Sequence, residues 1–487
     1  MRRHFVHLTC VVFLGWSAVA GAQTRDHAPA DASATVASTD STPAAAPAVA
    51  VAGKASAAQG AAAAAPDAIS LASGKLKIGM TFFGDYALYT QTGFGPQFLT
   101  QTNFPGPGND KFNTFDVSRT YLNMIFIPTD WVSFRFTPNL YRQAVSASAD
   151  KLGKTGGLGA SADGNLTMRV KYAYLEFGKV FDASPALKGT NFRFGSQMNP
   201  LIDWEEAFYD HRYVSLVPWN YLSLSSTQFG VSMNGAAKAN GKSYLDFQVG
   251  VFNEANFHQF EQAKQKQFMV RASVYPMGAS GRFDGLGITG FYDLADQNNA
   301  PDLGAARVTR AAAMVHYATK KNTAGVLFEY DYGKNAFGTG NQFSGSAPQD
   351  LLGLGATAYA DMSKLAAAVL AGTQTKQKGY AVLGRVTIPN TKATLFGTYQ
   401  YFQPNTNVPQ DPLDFDRVVA GVSFRLNPHL RLAIDSQNVL YRQSQFTYPV
   451  ASLATFSPAL AAAYPNGVPN AVPKGIKAIF ANFEFTF

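Results

Sequence analysis

The residues most able to do chemistry lie in one stretch, PLIDWEEAFYDHRYVSLVPWNYLSLS, residues 200–225. It gathers Trp204, Glu205, Glu206, Asp210, His211 and Arg212, whereas the other long segments between apolar runs are mostly small and polar. Acids and bases packed this closely create a transverse field more readily than a reaction centre. Asp210, His211 and Ser215 supply the residue types of a hydrolase, but neighbours in sequence are not a triad without geometry. There is no His-Glu-x-x-His, no Gly-x-Ser-x-Gly and no phosphate loop, and the histidines are scattered. The expectation is therefore no catalytic residue, no metal, no cofactor and no nucleic-acid partner.

A second set of charged residues is spread singly along the chain. Arg119, Arg135, Arg193, Arg271, Arg385, Arg417, Arg425 and Arg431 each fall on the polar face of an alternating segment. In Trp131 to Tyr141, Val132, Phe134 and Phe136 share one face, while Ser133, Arg135, Thr137 and Asn139 share the other. In 191–199, Phe192, Phe194 and Met198 are expected outward, with Arg193, Gln197 and Asn199 inward. Segment 166–178 resists this reading, because Arg169 and Lys171 share a parity with Leu175 and Phe177. An inward arginine has two readings. It forms an ion pair across strands, for instance with Asp435 or Asp246, or it joins a row of charge that concentrates anions.

The elements that must position these residues are strands. The last stretch, GIKAIFANFEFTF, alternates strictly. Ile479, Ala481, Phe483, Phe485 and Phe487 take one face, and Phe480, Asn482, Glu484 and Thr486 the other. Successive side chains on a strand point to opposite faces, so this is a strand with one apolar face. From residue 75 onward, similar runs of about ten residues recur. Short turns such as Pro128-Thr129-Asp130 and Pro389-Asn390-Thr391 alternate with long polar loops, among them 91–114, 143–165 and 442–474. The fold expected is all-β, a transmembrane antiparallel barrel of about 18 strands. The weak hairpin is 351–361 with 364–373, where Leu365 to Ala371 hardly alternates; without it the count is 16. A soluble sandwich or solenoid accounts for the alternation but not for the long/short loop pattern.

Composition agrees. Aromatic residues are 13% of the 487 and charged residues only 15%, against about a quarter charged in an ordinary soluble domain. No stretch after the N-terminus has the length and apolarity of a membrane-spanning helix. Residues 1–22 read as a signal peptide: Arg2 and Arg3, an apolar run from Phe5 to Trp16, then Ala20-Gly21-Ala22. Its removal takes away Cys10, the single cysteine, and lowers the formal charge from +8 to +6. Residues 23–74 are rich in Ala, Pro, Ser and Thr and read as a disordered periplasmic linker. The barrel is expected over 75–487.

The aromatic, alternating last strand resembles the closing strand of bacterial outer-membrane barrels. A closer resemblance lies in three segments. They are Phe115-Asp116-Val117-Ser118-Arg119-Thr120-Tyr121, Tyr172-Ala173-Tyr174-Leu175-Glu176-Phe177, and Phe192-Arg193-Phe194-Gly195-Ser196-Gln197-Met198-Asn199-Pro200. Together they look like the early strands of the phosphate-selective porin O and P family, over about a third of the barrel. The resemblance implies that family's architecture: a homotrimeric porin in the outer membrane of a Gram-negative bacterium. The family's lysine cluster and dense arginine ladder have no matching run, so phosphate selectivity is not carried over. The function expected is a water-filled channel for small hydrophilic solutes, with weak anion preference and a constriction at 200–225. The alternative is a non-channel barrel, an adhesin or receptor acting through its long loops.

Overall fold

The computed structural model describes residues 69–91, 111–142, 166–185, 187–218, 224–254, 266–296, 307–336, 376–404, 406, 414–442, 462, 465–466 and 475–487. Its strands are β1 (Ile69–Leu71), β2 (Leu76–Gln91), β3 (Asn113–Phe126), β4 (Val132–Arg142), β5 (Leu166–Phe177) and β6 (Asn191–Met198). After helix α1 (Ile202–Tyr209) come β7 (Thr227–Ala239), β8 (Lys242–Phe252), β9 (Gln267–Ala279), β10 (Gly285–Asp296) and β11 (Arg307–Ala318). The last are β12 (Ala324–Lys334), β13 (Lys376–Thr387), β14 (Ala393–Gln403), β15 (Phe415–Arg425), β16 (Leu430–Tyr441) and β17 (Ile476–Thr486).

Each strand from β2 to β17 pairs antiparallel with its sequence neighbours, and β17 returns to pair with β2. The sheet has 17 strands, of which β2 to β17 form a closed ring. β1 is a short addition at the edge of β2, with Leu71 opposite Leu76. The ring thus has 16 members, the smaller of the two expected counts. β12 pairs directly with β13 from Ala324↔Val386 to Lys334↔Lys376, which leaves the expected hairpin 351–373 no place between them. That hairpin lies outside the described residues.

The ring is apolar outside and polar inside. Ile288, Val315, Phe328, Ile434 and Ile479 project outward and are exposed. Thr137, Gln267, Thr289, Gln400 and Asn482 point inward and are buried. This is the arrangement a bilayer demands, since lipid offers no partner to a free backbone group and closure removes every edge. Among the described residues no helix is long and apolar enough to cross a membrane.

One irregularity resolves the ambiguous segment. Between β4 and β5, Thr137 pairs with Tyr172 and Pro138 with Val170, so Lys171 is an extra residue in the ladder. A bulge inverts the parity on either side of it. Met168 and Val170 are exposed outward before it, and Leu175 after it. Tyr172 and Tyr174 then point inward and are buried. Arg169 keeps the inward parity, although it shares an odd number with the outward Leu175.

The closing seam rests on aromatic packing. Phe483 is the cross-strand partner of Gly84, and a Cβ built on Gly84 would stand 2.3 Å from the Phe483 ring. The same ring stacks on Phe82 with centroids 5.6 Å apart. Gly84→Val forces the ring off the seam and should cost about 1–3 kcal/mol through overpacking. Thermal melting of the folded barrel, read by loss of heat-modifiable gel migration, checks it: the variant melts earlier than wild type.

Candidate functional site: the helix inside the ring

The segment after β6 turns into the barrel. Asn199 starts it: its Oδ1 accepts hydrogen bonds from the backbone N–H of Leu201 (2.9 Å) and Ile202 (3.3 Å). These serve two of the donors that a helix leaves free at its N-terminus. α1 then carries Asp203 and Glu205 in its first turn, where the helix dipole favours negative charge. It ends at Asp210 in the left-handed region (φ 58°), whose N–H bonds Glu206 O.

The contacts of α1 and the residues after it come from strands right around the ring, which places them in the lumen. Trp204 and Phe208 pack edge-on against Phe283, at 5.5 and 5.4 Å, and against His316 of β11. On another side, His211 stacks on Phe396 of β14 at 4.2 Å. Gln437 of β16 donates to Val214 O at 3.0 Å. On the β3–β5 side, Tyr172 donates to Asp203 at 3.4 Å and Arg212 donates to the Tyr121 hydroxyl at 3.0 Å.

Between α1 and the β3–β5 wall lies a cavity of about 130 Å³. Its lining includes Tyr121, Arg135, Tyr172, Asp203, Glu206 and Arg212, with Asp210, Arg431 and Glu484 at one side. Met198 also lines it and is buried, so the outward placement expected for this residue is corrected. It stands at the end of β6, next to the turn that carries the chain inside.

The expected residues divide by partner. Arg193 is paired with Glu176 (2.7 Å), Arg271 with Asp246 (2.5 Å), and Arg212 with Glu206 (3.0 Å). Asp210 receives Arg431 at 3.2 Å and Arg385 at 3.5 Å, and Arg431 also binds Glu484. Arg417 is fully buried and donates to Gln437 Oε1 at 2.9 Å. Arg425 shares the inward parity of Arg417 but lies exposed at the turn end of β15. Arg135 differs: its donors reach Thr137 Oγ1 (3.2 Å) and Asn123 Oδ1 (3.0 Å), and it stacks on Tyr172 at 4.7 Å. Arg119 and Lys171 each meet the Tyr121 hydroxyl at 3.4 Å. The hydrogen bonds of the three cations on the β3–β5 wall thus go to hydroxyl and amide oxygens, whereas Glu206, Asp210 and Glu484 face arginines; Asp203 accepts from Tyr172, and Glu205 lies against Glu329.

The hydrolase constellation does not assemble. Asp210 faces arginines, Ser215 donates to Leu216 O, and His211 sits between Tyr209 O (3.0 Å, Nδ1) and Ser423 Oγ (3.0 Å, Nε2). The Nδ1 proton therefore goes to a backbone carbonyl and not to a carboxylate. Sequence reading missed Asp203, Tyr121, Tyr172 and Lys171. Tyr121 shares a parity with Arg119 and was open to the same argument; Lys171 was hidden by its bulge.

Burial shapes the charge of the loop. Burial alone would raise the Asp210 carboxyl, but Arg431, Arg385 and His211 overcome it and hold it below the usual range. Burial, reinforced by Glu206, raises Asp203 to about 6 against the pull of Lys171 and Arg212. Burial pushes Glu205 well above 4.5, with Asp331 and Glu206 adding to it and a hydrogen bond from Glu329 opposing it. Burial lowers His211 to about 4, the Tyr209 carbonyl and Asp210 opposing it.

No family model matches the chain, so the likeness of its early strands to phosphate-selective porins stands as a resemblance. No curated protein matches it either. Among solved structures, OmpF of Salmonella typhi in complex with daunomycin is similar at 11% identity, over 85% of this chain and 97% of that one, with a TM-score of 0.48. The outer membrane channel DcaP of Acinetobacter baumannii is similar at 9% identity, over 86% and 99%, with a TM-score of 0.49. An anion-selective porin from Comamonas acidovorans is similar at 8% identity, over 85% and 100%, with a TM-score of 0.47. The class that the fold defines is a closed 16-strand β-barrel with a loop helix in its lumen.

Two titrations of opposite sign are expected. His211 is neutral when folded, while the unfolded chain takes up its proton below about 6.5, so this stability is lost as pH falls from 6.5 towards 4, on the order of 3 kcal/mol. Glu205 stays protonated when folded, so its contribution is lost as pH rises above 4.5. Melting midpoints across pH 4–8 should show His211→Gln flattening the acid side and Glu205→Gln flattening the upper side. An unchanged acid slope in His211→Gln refutes the assignment.

Proposed function

We propose that the protein is a porin of the outer membrane of a Gram-negative bacterium, a channel for passive diffusion of small hydrophilic solutes. Residues 1–22 direct export, 23–74 form a periplasmic linker whose last residues add β1 to the edge of β2, and the loop 200–225 constricts the pore. The observation that carries the reading is the polar cavity between α1 and the β3–β5 wall, inside a closed ring with an apolar exterior. Solutes pass the face of α1 on one side and Arg135, Tyr121 and Tyr172 on the other.

The pore prefers anions weakly. The carboxylates Asp210, Glu206 and Glu484 are matched by arginines, while Arg119, Arg135 and Lys171 lean on hydroxyl and amide groups. The surplus of local field is therefore positive along one wall. Phosphate as the particular solute, in the manner of the family resembled, draws no support from a dedicated cluster of lysines in the lumen. The porin is a homotrimer. Phe115 and Met168, 80% and 70% exposed on the outer faces of β3 and β5, are the kind of apolar surface a neighbouring subunit covers. No cofactor, metal or catalytic group takes part.

Planar-bilayer recording tests the proposal. Stable single-channel steps are expected, with a reversal potential in a KCl gradient on the anion side. One charge about 8 Å from a passing ion in water contributes about 0.5 kcal/mol, or about twofold in local anion concentration. Each charge enriches anions and depletes cations about twofold, so Arg135→Gln with Lys171→Gln should lower the anion-to-cation permeability ratio about sixteenfold. A silent barrel supports the adhesin or receptor, and a wild-type current carried mostly by cations refutes the anion preference.

A further inference from the structure

The outer face of β12 and β13 gathers three lysines at its loop end. Outward positions on β12 are Val326, Phe328, Tyr330, Tyr332 and Lys334; on β13 they are Lys376, Lys378, Tyr380 and Val382. Reading up the face, Phe328 opposite Val382 gives way to Tyr330 opposite Tyr380, then Tyr332 opposite Lys378, then Lys334 opposite Lys376. Apolar, aromatic and cationic layers succeed one another towards the loop end. Tyr330 and Tyr380 are about half exposed, as tyrosines are where hydrocarbon meets headgroups. Same-face neighbours on a strand are about 7 Å apart along it, so Lys378 and Lys376 stand at about 7 and 14 Å beyond Tyr380. On a strand tilted about 40° these are heights of about 5 and 10 Å, within and just beyond the headgroup layer.

These lysines are costly as they stand. Lys334 and Lys376 are direct cross-strand partners, and like charges so placed repel. Among the described residues none of the three side chains has a hydrogen bond or an ion pair. The protein does neutralise an outward cation where it has the means: Arg442, close by, reaches Asp416 through Nε (2.9 Å) and Nη2 (2.8 Å) and lies over Tyr401 at 3.9 Å. No such acid faces the lysines of β12 and β13 among the described residues.

We infer that Lys334, Lys376 and Lys378, above the tyrosines of β12 and β13, dock the phosphate groups of an outer-leaflet lipid headgroup. A phosphate bridging Lys334 and Lys376 turns a repelling pair into a site, and the acyl chains of the same lipid lie against Phe328 and Val382 below. The inference rests on the membrane placement proposed above and not on conduction.

The test uses the full chain refolded in detergent, titrated with diphosphoryl lipid A and followed by native mass spectrometry. Lipid A is expected to bind, and its dephosphorylated form, with the same acyl chains, to bind far less. The triple variant Lys334→Gln, Lys376→Gln, Lys378→Gln should bind lipid A about 100-fold more weakly, each lysine near such a surface accounting for about a fivefold factor. The matching triple arginine variant should retain binding. Inorganic phosphate at equal concentration should not compete, because the headgroup is anchored by its chains. Equal binding by the glutamine variant, equal binding of the dephosphorylated lipid, or competition by inorganic phosphate each overturns the inference. The lysines lie outside the lumen, so conductance of the glutamine variant should equal that of wild type. A wild-type protein that binds lipid A but conducts nothing would sink the channel reading and leave this one standing.

Discussion

A backbone in hydrocarbon has to satisfy its own hydrogen bonds, and the whole arrangement depends on that requirement. It forces β17 back onto β2, so every strand of the ring has two partners. It also sorts the side chains. With apolar residues turned to lipid, the charged residues of the strands have the lumen as their place, and there they must find partners without bulk water all round. Glu176 for Arg193 and Asp246 for Arg271 are such partners within the wall. The helix α1 adds what the wall lacks, bringing Glu206 and Asp210 to arginines that would otherwise crowd one another.

The lumen is therefore divided by chemistry. One side of α1 is mainly aromatic, with Trp204 and Phe208 against Phe283 and His316 and the guanidinium of Arg385 over Phe208. The other side is wet enough to leave a cavity lined by charges. Aromatic packing holds the helix to one wall, and the polar contacts on the opposite side keep a gap open. The helix can be rigid and still leave a cavity beside it, because its two faces are held by different forces.

Much of this was legible in the sequence, for a physical reason. Strand parity has a period of two, so a few phenylalanines suffice to place Arg135, Arg193 and Arg417 inside, and the same argument placed Phe480 and Asn482 in the lumen. It failed where the backbone departs from that period. The extra residue at Lys171 shifts the phase within β5, and the turn out of β6 buries Met198. Of the two strand counts the sequence allows, the ring has the one without 351–373, because β12 pairs directly with β13. Partners were the least legible part. Asp435 was a candidate for an arginine and instead accepts from Gln437 and Asn482, since pairing depends on register and on which group the loop delivers.

The position of α1 has a consequence for the order in which the molecule assembles. Its immediate neighbours in sequence are β6 and β7, yet Arg431 bonds Asp210 across 221 residues and Gln437 bonds Val214 across 223. Contacts of such separation come late, because the chain between them has to be placed first. The loop therefore cannot take its final seat until β16 has been laid down and the ring is nearly complete. A barrel stalled one hairpin short would have its strands in place and its interior still unfurnished, with Asp210 and Val214 waiting for partners. The last strands to arrive are thus the ones that lock a segment made near the middle of the chain.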